Sequence, residues 1–178
     1  MKAKLIKIKD IKASANEGFT LIELLVVIGI LAILMGIVLI AINPAHQFAL
    51  ANDTNRRNAV AQILSGVGQY EAEHNGSLPP SISGLAAHAA PAVAADQTAI
   101  SSTGSNLCTD LVGGSVQYIP ALPGDPTAST PTAGADITAT QCSGAFDTGY
   151  TVSIDSNKRV TIYAPHAEAV ASPMYVTR

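Results

Sequence analysis

From Leu24 to Ile42 the chain runs for nineteen residues without one charged or strongly polar side chain. Coiled into a helix, that run rises about 28 Å, close to the roughly 30 Å of hydrocarbon in a bilayer. The pattern predicts a single membrane-spanning helix. One acid, Glu23, stands at its lip, where an unpaired carboxylate is expensive in lipid. Lys2, Lys4, Lys7, Lys9 and Lys12 precede it, which favours a cytoplasmic amino end, with everything past about residue 45 outside.

Asn43-Pro44 closes the apolar zone, and two readings of it stand. Proline inside a helix removes a hydrogen bond and kinks the rod. Alternatively Asn43 caps a new helix with Pro44 at its first position. Beyond, Val60, Ile63, Leu64, Val67 and Tyr70 recur at three- and four-residue spacings, the signature of an amphipathic helix. Asp53, Arg56, Arg57, Gln62, Gln69 and Glu73 fall on its other face. Gly66 and Gly68 sit inside it, each costing about 1 kcal/mol against alanine, which points to close packing there. The helix should end at His74-Asn75-Gly76, with Gly76 as a left-handed cap before Pro79-Pro80.

Residues 81 to 120 read as a poorly periodic connection, with short helices near Leu85 to Ala90 and Cys108 to Val112. Residues 127–145 read as a surface loop rich in Thr, Ala, Gly and Ser. Strand patterning appears only at the end. Tyr150, Val152 and Ile154 alternate with polar residues, Asp155-Ser156-Asn157 is turn-forming, and Val160 and Ile162 alternate again. A third strand is expected from Ala167 to Ala171 or Met174 to Val176, with Pro165 and Pro173 confining it to an edge or a start. The fold class is therefore α+β, a long amino-terminal helix with a small antiparallel sheet folded onto it.

Gly18-Phe19-Thr20-Leu21-Ile22-Glu23-Leu24-Leu25-Val26-Val27-Ile28 resembles the start of bacterial type IV pilins and of the pseudopilins of type II secretion. The resemblance implies that a prepilin peptidase cuts after Gly18 and that Phe19 becomes an N-methylated amino terminus. It also implies a ladle-like fold, and an assembly ATPase and a platform protein as partners. Glu17 departs from the basic residue that often precedes the glycine. The division that follows is a leader at 1–18, a membrane and filament-core helix at 19–43, and its amphipathic continuation at 44–76. A variable region at 77–145 and the sheet at 146–178 complete it. Leu122-Pro123-Gly124-Asp125-Pro126 is similar to a segment that precedes the sheet in major pseudopilins and some pilins. Unlike a secretory signal, whose apolar core precedes the cut, the apolar run here stays in the mature chain.

Two roles for Glu23 remain open. After cleavage the Phe19 amine is a cation, and a neighbouring subunit's amine could pair with the carboxylate and set the axial register. On an isolated helix the acid would instead snorkel or cap the positive helix end. With Gly18-Phe19-Thr20 beside it, the assembly role is favoured.

Charge changes the picture in one respect. The leader holds five Lys against Asp10 and Glu17, so the remainder has five basic residues against eleven acids. That balance gives no grip on nucleic acid. Arg56-Arg57 should meet acids instead. Cys108 and Cys142 both lie in the part expected outside the cytoplasm, where a disulfide is favoured over two buried thiols. Similar pilins often carry a bridge in this half. No phosphate loop, nucleophile elbow or metal motif is present, and His46, His74, His88 and His166 lack ligand spacing. Asp125, Asp147 and Asp155 lie in turn-rich segments, and pseudopilin relatives can bind calcium there; otherwise no cofactor is expected. Asn52-Asp53-Thr54 and Asn75-Gly76-Ser77 match the glycosylation acceptor pattern and read as turn and cap residues.

The leading function is a structural subunit, not an enzyme, that polymerises through Phe19 to Ile42 into a type IV pilus. The alternatives are the major pseudopilin of a type II secretion system and a membrane-anchored extracytoplasmic enzyme or binding protein. The subunit would sit as a single-pass protein of the inner membrane before assembly and in an extracellular or periplasmic filament after it.

Overall fold

The fold comes from a computed structural model that describes residues 18–89, 94–128, 134–169 and 174–178. Residues 1–17 of the expected 1–18 leader, the end of the expected Ala167 to Ala171 strand and Pro173 lie outside the described residues. The chain divides into two units, residues 1–43 and 44–178.

The first unit contains one helix, α1 (Leu21–Ile42), which buries none of its residues. Its end is set by Asn43, whose φ of 45° leaves the right-handed helical region. Asparagine tolerates that conformation better than most residues. Pro44 is then the first residue of α2 (Pro44–Glu73), a position where its missing N–H costs nothing. The new-helix reading of Asn43-Pro44 thus holds for Pro44, with Asn43 ending α1.

The second unit is built around α2. Ala59, Val60, Ile63, Leu64 and Val67 are buried, and Tyr70 packs against the same core. The two glycines have separate reasons. A Cβ on Gly66 would press on Ile119 and Leu111, and one on Gly68 would collide with the Arg178 guanidinium. The helix ends at Glu73, and the Gly76 amide reaches back to the Glu71 carbonyl at 2.8 Å. Asn75 (φ 54°) is the first left-handed residue, and Gly76 (φ 79°) follows it. The cap is therefore shared, one residue earlier than the sequence suggests.

The α+β class stands, with a wider and mixed sheet. The expected hairpin is β3 (Asp147–Asp155) and β4 (Val160–Ala164), in the register Val152 to Ile162 and Ile154 to Val160. Asp155 shapes its turn by accepting from the Asn157 and Arg159 amides, each at 2.8 Å. The third strand is β5 (Met174–Thr177), antiparallel to β4. Two further strands come from the region expected to be loop. β1 (Ala87–His88) runs parallel to β3 beside Ile154, and β2 (Thr98–Ser101) runs antiparallel beside Val152. Both lie along one edge of β3, so the sheet is not purely antiparallel.

The helix expected near Leu85 to Ala90 is displaced. A single turn, α3 (Pro80–Ser83), takes its place just upstream, and Ala87-His88 is strand. Proline is favoured in a first turn, which explains the earlier start. The helix near Cys108 is present as α4 (Leu107–Leu111), capped by the Asn106 side chain accepting from the Thr109 amide. Residues 127–145 are not wholly surface either. Ala128, Ile137 and Cys142 are buried, and Leu122 pairs with Ile137 in an isolated bridge. Cys108 and Cys142 form a disulfide, with Cα atoms 5.2 Å apart across 34 residues. It ties α4 to the end of that segment, a cross-link worth roughly 3–4 kcal/mol in the chain-entropy model.

Candidate functional site

Two places concentrate the chemistry, one in each unit. At the amino end, Gly18 and Phe19 are exposed backbone ahead of α1, and Phe19 is 84% accessible. Thr20 is the N-cap, with extended backbone (φ −79°, ψ 150°). Its hydroxyl accepts from the Glu23 amide at 3.3 Å. The Glu23 carboxylate reaches back, accepting from the Thr20 amide at 2.9 Å and the Thr20 hydroxyl at 2.7 Å. This reciprocal capping box satisfies two orphan donors of the first turn. Both bonds from Thr20 fall on Oε2, and Oε1 accepts none from the described residues. Thr20-x-x-Glu23 is a capping signature in the sequence itself, and these bonds match the reading in which the acid caps the positive helix end.

Behind that tip, α1 is long and apolar enough to cross a membrane, and none of it is buried. Leu21, Ile22, Leu25, Ile28, Ile33 and Ile40 are among its exposed side chains. Apolar surface displayed all around a helix needs lipid or protein to cover it. The helix therefore supports membrane anchoring of the precursor.

In the second unit the central group is Arg56, whose side chain is completely buried. Its Nε and Nη2 grip Asp125 at 2.8 and 3.1 Å, its Nη1 meets Asp53 at 2.8 Å, and Nη2 also reaches Glu168 at 3.1 Å. The Thr127 hydroxyl closes the set. Asp53 in turn accepts from the amides of Glu168 (3.0 Å) and Ala169 (2.8 Å). Three short stretches of chain, around residues 53–56, 125–127 and 168, converge on one guanidinium. Burial pulls its pKa down, but the hydrogen bonds to Asp125, Glu168 and Asp53 outweigh burial and keep it charged.

The acids respond in the same sense. Burial pushes Asp125 up, yet the Arg56 hydrogen bond, the Thr127 amide and the charges of Arg56 and His166 hold it below its ordinary value. Glu168 is lowered chiefly by its hydrogen bond to Arg56. Next to them the Tyr150 hydroxyl is buried without a hydrogen-bond partner among the described residues. Burial first, and the Asp125 charge second, raise its pKa.

Arg56 thus meets acids, as the sequence suggests, but from inside the domain and not from its solvent face. The surrounding Asp53 and Asp125 are equally buried, which the polar-face reading missed. The signals were the Asp53–Arg56 spacing of three, fit for a helical ion pair, and the acid inside Leu122-Pro123-Gly124-Asp125-Pro126.

The acids considered as calcium donors have other occupations. Asp125 is filled by Arg56 and by the Thr127 and Ala128 amides; Asp155 binds Arg159 at 2.6 Å; Asp147 accepts from the Gly149 amide at 2.9 Å. Among the described residues no group of three His, Cys, Asp or Glu side chains is arranged to hold a metal ion. The histidines stay apart. His88 faces Asp96 at 3.1 Å, His74 stacks on Tyr70, and His166 lies 3.8 Å from Asp125.

Residues 14–39 match the family model described as the prokaryotic N-terminal methylation motif. This is the prepilin-type signature of type IV pilins and pseudopilins, and it covers the Gly18-Phe19 junction, Glu23 and most of α1. The chain carries the signature of a pilin-like or pseudopilin precursor. No curated protein and no solved structure matches it.

Proposed function

We propose that this chain is cut between Gly18 and Phe19 by a prepilin peptidase, N-methylated at Phe19, and polymerised through Phe19 to Ile42 into a type IV pilus. The observation that carries this reading is α1 itself. Among the described residues nothing covers its apolar surface, and the carboxylate at its tip keeps one oxygen free of hydrogen bonds. Lipid covers the surface in the precursor; copies of the same helix cover it in the filament. The open Oε1 of Glu23 receives the Phe19 amine of a neighbour, while Oε2 keeps its capping bonds. An acid in an apolar bundle is tolerable only when paired, so a misplaced subunit pays several kcal/mol.

The assembly ATPase and platform protein supply the work of extraction. The second unit favours a structural subunit over a tethered enzyme, because its innermost charges are spent on holding segments together. One observation favours a second reading, the major pseudopilin of a secretion system: the Leu122-to-Pro126 segment, whose Asp125 anchors the domain. Filaments sheared from cells that make the chain decide the matter. Finding it as the main subunit, starting at methylated Phe19, is the expected result. A chain that keeps its first eighteen residues and enters no polymer would end the proposal. A strain lacking the chain that keeps its surface fibres but fails to secrete would favour the pseudopilus.

A further inference from the structure

Two acceptor patterns for N-linked sugar occur in the sequence, and the fold separates them sharply. Asn52 lies within α2, where its Nδ2 reaches Glu168 at 3.5 Å and the middle residue, Asp53, is buried on Arg56. Presenting Asn52 to an enzyme would require unwinding α2 and opening the charge cluster. Asn75 is in the opposite situation. It lies just beyond Glu73, the last residue of α2, it is exposed, and its side-chain amide makes no hydrogen bond within the described residues. Its φ is positive, as is that of Gly76, and Ser77 is exposed two residues on. Helix ends fray at small cost, so this stretch can be drawn into an extended shape without disturbing the core.

We propose that Asn75 is the acceptor for an N-linked saccharide, delivered from a sugar activated at C1 as a lipid-linked diphosphate on the outer side of the membrane. The inference rests on the reading that residues past α1 are exported. In the transfer the Asn75 Nδ2 attacks the sugar C1 and a C–N bond forms. The bond from C1 to the diphosphate oxygen breaks, the lipid diphosphate leaves with the electron pair, and Nδ2 gives up one proton. The Ser77 hydroxyl is the second element that such transferases recognise. Gly76 leaves the approach between them open, since a Cβ there would meet nothing within 4 Å.

The test is made on the full chain recovered from the membrane and surface fractions of cells that naturally produce it. Peptide mapping with fragmentation that retains sugar should place at least one sugar residue on Asn75 and none on Asn52. Asn75→Gln and Ser77→Ala should each abolish the added mass, Ser77→Thr should keep it, and Asn52→Gln should change nothing. Sugar on Ser77 that survives Asn75→Gln overturns the assignment, as does sugar on Asn52. Bare Asn75 in a chain that begins at Phe19 and has its disulfide oxidised overturns the glycan alone. A chain found reduced and uncleaved in the cytoplasm overturns both the glycan and the exported-subunit reading.

Discussion

The helix α1 and the helix α2 solve opposite problems. On α1 every residue is exposed, Leu31 at 55%, and nothing among the described residues covers it. On α2 a cation is turned inward at 0% exposure, and its chain supplies three carboxylates to meet it. The first helix gets its stability from whatever surrounds it; the second belongs to a unit that satisfies its own needs. One teaches that burial is supplied from outside, the other that charge is neutralised from within.

That contrast can be broken or sharpened by substitution. The largest effect should follow Glu23→Ala or Glu23→Gln: filaments fall below detection in sheared fractions, while the unfolding of the second unit stays the same. Filaments at normal abundance would remove the acid from the assembly account. Next comes Arg56→Met, which strands Asp53 and Asp125 as buried anions and should cost about 3–5 kcal/mol. Denaturant unfolding of the detergent-solubilised chain with its disulfide intact reads this directly. Arg56→Lys should recover only part of the loss, because an ammonium cannot make the paired grip on Asp125.

A matched pair compares the two helices on equal terms. Ile63→Ala empties a fully buried site and should destabilise the second unit by about 2–5 kcal/mol. Leu31→Ala should leave that same transition within about 0.5 kcal/mol, the expectation for an exposed side chain. An equal loss from both would mean that α1 is part of the domain's core after all. The smallest effect concerns pH. Asp125, Glu168 and Asp155 are all held below their ordinary values in the fold. Depressed acids bind fewer protons folded than unfolded, so their stabilisation is complete above the unfolded carboxylate range. It is lost as pH falls through the folded values, a window below about pH 4. Arg56→Met should flatten that acid limb, as the main partner of Asp125 and Glu168 is gone.

Much of this architecture was written in the sequence where a pattern ran long enough to repeat. The span at Leu24 to Ile42, the apolar face from Val60 to Tyr70 and the Tyr150-to-Ile162 hairpin each repeat several times. The span is identified by its unbroken apolar length, the other two by their period. β1 and β2 span two and four residues, too short for alternation to show, and their pairing with β3 depends on contacts distant in sequence. The charge cluster escaped for a different reason. Sorting residues into apolar-inside and polar-outside places Arg56 in solvent by rule, and only its partners reveal otherwise. At the amino tip the position of Glu23 and a capping role were legible, while Thr20 as its reciprocal partner shows only in the geometry.

The spacing of the partners around Arg56 bears on how the second unit closes. Asp125 follows Arg56 by 69 residues and Glu168 follows it by 112. The guanidinium is made early and must stay hydrated until a carboxylate 112 residues further along joins it. A chain missing any of these distant partners cannot seal that centre, so the second unit closes as a whole and not segment by segment.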